Sequence, residues 1–218
     1  MEHMLCVVKN TSLNAFMLGY LPAVGRGDTL IFDAGCVKSV DMNAELRGES
    51  DFFARLIALS RDKECSVLLH SVFYAAGGVF NSVAVFDKGE VCGVSDEINP
   101  RSACDPGSAL RCYNTSMGRL GVLIGEDLLY PELWARLAIC APSVVFCFNR
   151  TYRAGLSSSL AALCDCTVCA VSPERAGCYA DSGALLKSGY EDISFLPLPQ
   201  GRRQARVLTK KVRTSIEG

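Results

Sequence analysis

Strands alternating with helices in βα order, joined in places by tight antiparallel hairpins, predict one mixed-sheet α/β domain over residues 1–218. Three observations carry that reading. Short apolar runs rich in β-branched residues, such as Thr29-Leu30-Ile31-Phe32, have strand length. Longer segments with apolar residues at helical spacing, such as Phe52, Phe53, Leu56, Ile57 and Leu59, lie between them. The stretch from Gly118 to Leu133 then joins the two types. An aliphatic run to Ile124 breaks at Gly125-Glu126-Asp127 and passes Pro131 into an amphipathic segment ending near Cys140. A strand that breaks at a glycine and feeds a helix places the break at a sheet's carboxyl edge, where α/β folds put their chemistry.

Taken in order, Leu5 to Val8 is a strand, and Thr11 or Ser12 caps a helix reaching Tyr20 or Leu21. After the turn Gly25-Arg26-Gly27-Asp28 comes the strand Thr29 to Phe32, ending in Asp33-Ala34-Gly35-Cys36. A helical segment spans Asn43 to Lys63, its regular part starting near Ser50 because Gly48 interrupts it. Ser66 to Phe73, Val79 to Phe86 and Val91 to Ser95 are strands, the last two joined by a hairpin turn at Asp87-Lys88-Gly89-Glu90. Asp96 to Ala109, rich in Pro, Ser, Gly and Asp, is a loop. Leu110 to Ser116 pairs with Arg119 to Ile124 through Met117-Gly118. There follow a helix to Cys140, a strand from Ser143 to Phe148, a helix from Ala154 to Leu163 and a strand from Thr167 to Val171. From Gly183 the chain reads as strands interrupted by Pro197, Pro199 and Gly201. Its basic run, Arg202 to Arg213, has strand-like alternation with one solvated face.

A net charge of −1 with scattered Lys and Arg provides no electrostatic footprint for nucleic acid. No apolar run reaches the roughly 18 residues of a membrane span, and Glu2 stands where a secretory leader wants positive charge. The expectation is a soluble, cytoplasmic protein. Most of the twelve cysteines lie singly in apolar contexts, where a thiol packs as a small hydrophobe. Only Cys164, Cys166 and Cys169, with Cys178 beyond, are dense enough to suggest a metal site. They lack paired C-x-x-C knuckles, so no metal or cofactor is expected.

The order of motifs resembles the nitrilase, or carbon–nitrogen hydrolase, superfamily. Gly121-Val122-Leu123-Ile124-Gly125-Glu126-Asp127 followed by Tyr130-Pro131-Glu132 is similar to that family's G-x-x-I-C-x-D-x-x-F-P-E stretch. Gly78 to Phe86, containing Asn81-Ser82, is similar to its G-x-x-x-N-S strand, and Thr29 to Ala34 sits where the family has an apolar strand ending in F-P-E. The resemblance implies a four-layer α-β-β-α sandwich, usually dimeric, built around a Glu-Lys-Cys triad. In that chemistry a thiolate attacks an amide or nitrile carbon, a carboxylate moves the proton and an ammonium stabilises the developing charge.

None of the three matches here. The nucleophile position falls on Gly125, the glutamate position on Ala34, and the lysine position on Asp96 or Glu97. The resemblance therefore implies a catalytically inactive member acting as a binding or assembly module. It would form a homodimer or a hetero-oligomer with an active paralogue. Asp33, Cys36, Glu126 and Asp127 are candidate residues of the relic pocket. Its carboxylates would repel one another unless a cation, such as an amine or a metal ion, entered; the simpler expectation is a collapsed remnant with outward-pointing carboxylates. Two alternatives remain: an active amidase with a displaced nucleophile such as Cys36, or a metal-binding protein using Cys164, Cys166, Cys169 and Cys178.

Overall fold

A computed structural model describes residues 4–198. Two sheets hold the strands. In the first, β1 (Met4–Val8) lies parallel to β2 (Thr29–Phe32), and β2 parallel to β4 (Ser66–Ala75). β4 continues antiparallel into β5 (Gly78–Asp87) and β6 (Glu90–Asp96). A three-residue strand, β3 (Ser39–Asp41), pairs with the far end of β4, and β13 (Ile193–Pro197) closes the other edge antiparallel to β1. The second sheet runs β12 (Leu185–Gly189), β11 (Ala176–Tyr179), β10 (Thr167–Val171), β9 (Val144–Phe148), β8 (Gly118–Ile124) and β7 (Cys112–Thr115). Its three central strands are parallel, and its edges are antiparallel.

The two-residue periodicity of these strands creates the layers. Leu5, Val7, Ile31, Leu68, Val83 and Val85 of the first sheet meet Val122, Ile124, Phe146 and Phe148 of the second in a core between the sheets. The alternate residues of the first sheet, Cys6, Val8, Leu30, Phe32, Val67 and Leu69, pack against α1 (Leu13–Gly19) and α3 (Phe52–Asp62), with α2 (Met42–Arg47) on the same side. Those of the second, among them Leu123, Val145, Cys147 and Val168, cover α4 (Pro131–Cys140) and α5 (Ala154–Cys164). The outcome is a four-layer α-β-β-α sandwich. Each fully buried Leu or Phe contributes roughly 1.5–3 kcal/mol, so the three apolar layers dominate the stability.

Several expectations are corrected by local physics. The helical segment expected over 43–63 divides in two, because Gly48 takes a left-handed conformation (φ +70°) and stops α2. At the start of α3, Ser50 Oγ accepts the Phe52 amide at 3.4 Å but does not reach the Phe53 amide. The Glu45 carboxylate caps α3 from the preceding helix, accepting the Phe53 amide at 2.9 Å and the Phe52 amide at 3.3 Å. β7 is shorter than the expected 110–116 span, and β3 and β11 are strands where the sequence suggested no element. At the 87–90 hairpin, Lys88 and Gly89 both have positive φ, the geometry of a two-residue type I′ turn. The basic run 202–213 lies outside the described residues.

Candidate functional site

Strand ends bring the candidate residues together. On the first sheet, the position after β1 is Lys9 and the position after β2 is Asp33; both have the parity that faces the second sheet. His70 on β4 and Asn81 on β5 share that face, and Glu97 lies opposite Asn81 at the end of β6, its amide donating to the Asn81 carbonyl at 2.8 Å. One polar row therefore crosses five strands at the rim of the inter-sheet core.

From Asp33 to Glu97 the row is continuously hydrogen-bonded. His70 Nδ1 lies 2.7 Å from Asp33 Oδ1, and His70 Nε2 lies 2.9 Å from Asn81 Oδ1. Asn81 Nδ2 donates to Glu97 Oε2 at 2.8 Å, and the Glu126 amide donates to Glu97 Oε1 at 2.8 Å. Asp33 is 2% exposed and Glu97 4%, so both carboxylates point inward, not into solvent. The collapsed remnant with outward carboxylates is therefore corrected for these two residues: buried carboxylates persist where hydrogen bonds repay their desolvation, and here they do.

The decisive contact is between Glu97 and Gly125. Gly125 opens the 3-10 turn that follows β8 and has φ +58°. A Cβ on Gly125 would stand 2.7 Å from Glu97 Oε2 and closer still to Cδ and Oε1, far inside van der Waals contact. The Glu97 carboxylate thus fills the space a side chain at 125 would enter. Of the two candidates for the lysine position, the structure brings Glu97 to the pocket. Asp96 has the opposite parity and accepts from Ser82 Oγ at 2.6 Å.

Asp127 ties this turn to the loop after β6, accepting the amides of Ile98 and Asn99, each at 2.9 Å, and the Asn99 side chain at 3.1 Å. Burial raises its pKa, and those hydrogen bonds pull in the opposite direction. Its partners are amides of the neighbouring loop, and Asp127 does not line the cavity described next. Glu126 lies 3.7 Å from Arg101 Nε and 3.6 Å from the Arg153 guanidinium. A cavity of about 80 Å³ remains, lined by Asn81, Glu97, Arg101, Ser102, Gly125, Glu126 and Arg150. Small-molecule sites usually occupy about 300–1,000 Å³. Of the candidate pocket carboxylates, Glu126 is the one with arginines, Arg101 and Arg153, beside it.

The other candidates lie elsewhere. Ala34 is exposed and does not line this cavity; the adjacent Asp33 is the carboxylate that turns inward. Cys36 is buried and its thiol donates to the carbonyls of Lys9 (2.6 Å) and Val8 (3.1 Å). Burial, reinforced by Asp33, pushes its pKa up to about 12, the opposite of an activated nucleophile. The four candidate metal ligands are divided by the second sheet. Cys164 and Cys166 belong to its helix side, whereas Cys169 and Cys178 face the inter-sheet core as a cross-strand pair, sulfurs 3.7 Å apart. No group of three or more His, Cys, Asp or Glu is placed to hold a metal ion among the described residues.

Sequence reasoning missed His70, Asn81 as a side-chain donor, Lys9, and the arginines. The available signal was parity: in Leu68-His70 and Asn81-Val83 a polar residue continues an inward-facing apolar series within the strand. Lys9 is 0% exposed, and its ammonium has no hydrogen-bond partner among the described residues. Desolvation lowers its pKa, while Asp192 and Asp33 oppose that shift.

No family model and no curated protein matches the sequence. Solved structures do match. Nit3 of Saccharomyces cerevisiae, a member of branch 10 of the nitrilase superfamily, superposes with a TM-score of 0.71 at 15% identity, covering 97% of both chains. A carbon–nitrogen hydrolase from Helicobacter pylori G27 gives 0.69 at 14% identity, over 93% of this chain and 91% of that one. An amidase from Nesterenkonia sp. gives 0.69 at 15% identity, over 94% of each. The chain has the fold of the nitrilase superfamily, the carbon–nitrogen hydrolases. Among the described residues, no helix is long and apolar enough to cross a membrane.

Proposed function

We propose that this protein is a nitrilase-superfamily relative without hydrolase chemistry, retained as a binding or assembly module. The observation that carries the reading is the Glu97 carboxylate lying where a side chain at Gly125 would project. A carbon–nitrogen hydrolase of this kind needs a thiolate at that point and a cation beside it. Here there is no side chain at 125, and an anion stands where the cation is required. The Glu97 carboxylate is held by the Asn81 amide and the Glu126 N–H, the latter a donor that would otherwise be free to face a substrate oxygen. Cys36, the alternative nucleophile, is buried and points its thiol at backbone carbonyls.

The assembly part of the proposal rests on the outer face of the α4–α5 layer, where Ile139 is 85% and Leu163 55% exposed. Large apolar side chains left in water favour a partner, either a second copy or an active paralogue; Leu18 and Leu46 on the α1–α2 side are exposed as well.

A panel of amides and nitriles incubated with the purified protein tests the first part; the expected result is no turnover above buffer. Turnover that disappears in Cys36→Ala would overturn the inactive reading. Sedimentation velocity tests the second, with a dimer expected that Ile139→Glu converts to monomer; a wild-type monomer, or a dimer that the variant leaves intact, would count against self-assembly through this face.

A further inference from the structure

We propose that the cavity beside Gly125 binds a small zwitterion of the amino-acid class, its ammonium against Glu126 and Glu97 and its carboxylate toward Arg101 and Arg150. This deepens the reading of a binding module and rests on it.

One buried acceptor in the cavity wall is unmet. Glu126 Oε2 is shielded from solvent and has no hydrogen-bond partner among the described residues. Arg101 Nε stands 3.7 Å away, beyond hydrogen-bonding reach. A buried carboxylate oxygen without a donor is costly, so the site favours a ligand that brings one. Glu97, which lines the same cavity, has capacity to spare. Its Oε1 takes the Glu126 amide and its Oε2 the Asn81 side chain, and each carboxylate oxygen can accept a second hydrogen bond. An ammonium carries three donors and no acceptor, which matches these groups.

The charges are ordered by depth. Glu97 is 4% exposed and lies against Gly125 at the floor, whereas Arg101 and Arg150 are exposed at the rim. Ser102, next to Arg101 in the chain, adds a hydroxyl to the lining. An anionic floor under a cationic rim orients its ligand: the positive end enters first and the negative end stays with the arginines. The charged lining residues are two glutamates and two arginines, so a ligand with a single charge answers only one end. A bare amine leaves the arginines unanswered. A bare carboxylate meets Glu97 and the unpartnered Glu126 oxygen. A neutral amide can reach both ends, but charge-assisted hydrogen bonds are about twice as strong as neutral ones.

Volume sets the size. The cavity of about 80 Å³ equals the share of about three waters at roughly 30 Å³ each. Bonded atoms lie closer together than neighbouring waters, so a ligand of about five non-hydrogen atoms fits. Glycine has that size and both charges.

The test is a titration of the purified protein with glycine, followed through the ¹⁵N–¹H shifts of the Gly125, Glu126 and Ser102 amides. Saturable shifts with a Kd of about 1 mM or below are expected. Methylamine, acetate and acetamide should each bind at least about tenfold more weakly. Absence of saturable shifts with glycine at about 10 mM, or a comparator binding as tightly as glycine, would overturn the proposal. Glu126→Gln and Arg101→Gln should each weaken glycine binding by about tenfold or more, with folding checked by circular dichroism. The Arg101 side chain is mostly exposed, so Arg101→Gln keeps the test open should Glu126→Gln fail to fold. Glycine affinity unchanged in Arg101→Gln would refute the placement of the carboxylate. Glycine contains no amide or nitrile to hydrolyse, so these shifts report binding alone. Turnover in the amide and nitrile panel would refute the inactive reading whatever glycine does, and the two failures are read separately.

Discussion

Gly125→Ala is the substitution on which the site's geometry bears most directly. Two costs are expected. At φ +58° a Cβ incurs the left-handed penalty of roughly 1–2 kcal/mol. The same Cβ intrudes on the Glu97 carboxylate, and either overpacking, at about 1–3 kcal/mol, or expulsion of Glu97 from its two donors must follow. The single variant should therefore lose about 2–5 kcal/mol. Glu97→Ala leaves the Asn81 NH₂ and the Glu126 N–H without their acceptor, at about 1–3 kcal/mol for each one still shielded from water. In the double variant the intruding methyl finds open space, and only the backbone penalty of Gly125→Ala remains. The double-mutant cycle should show about 1–3 kcal/mol of favourable coupling. The assay is urea denaturation followed by circular dichroism, with midpoints compared at constant m-value. Additivity within about 0.5 kcal/mol would mean that Glu97 does not occupy the space beside Gly125, and the reasoning about the lost nucleophile would fail with it.

Other expectations rest on separate contacts. Asp127→Ala should strand the amides of Ile98 and Asn99 and speed their hydrogen exchange, at a stability cost of roughly 2–4 kcal/mol; exchange unchanged at both would show that the loop does not depend on Asp127. Cys36, with its pKa pushed to about 12, stays protonated through neutral pH and gains thiolate only as pH rises toward that value. Its alkylation in the native protein should run roughly three orders of magnitude slower than that of a free thiol, read by mass spectrometry of quenched samples. Labelling of Cys36 as fast as the partly exposed Cys104 would restore it as a candidate nucleophile. Glu45→Ala should cost about 1 kcal/mol or more by uncapping α3, whereas Ser50→Ala should cost less, because Glu45 and not Ser50 receives the Phe53 amide. Equal losses in the two variants would refute that assignment.

The sequence by itself determined the layers and the break. The apolar runs Leu5 to Val8, Thr29 to Phe32, Val79 to Phe86 and Thr167 to Val171 are local signals of strands buried on both faces, so the strands were legible. Gly125 and Pro131 likewise mark the exit from β8 through chain geometry alone. Tertiary structure decided what pairs across distance. That β13 closes the sheet beside β1 depends on contacts about 190 residues apart, which no local pattern specifies. The same is true of the site: whether Asp96 or Glu97 turned inward depended on the register of β6 against β5, since a shift of one residue exchanges the two faces. Ala34 and Asp33 are separated in the same way, by which of two neighbours the sheet turns toward the core. His70 and Asn81 looked like ordinary strand residues until pairing placed them between Asp33 and Glu97. A glycine where the resemblance puts a nucleophile is visible in the sequence; that the Glu97 carboxylate fills the space beside it is visible only once two strand ends, 28 residues apart along the chain, are brought into contact.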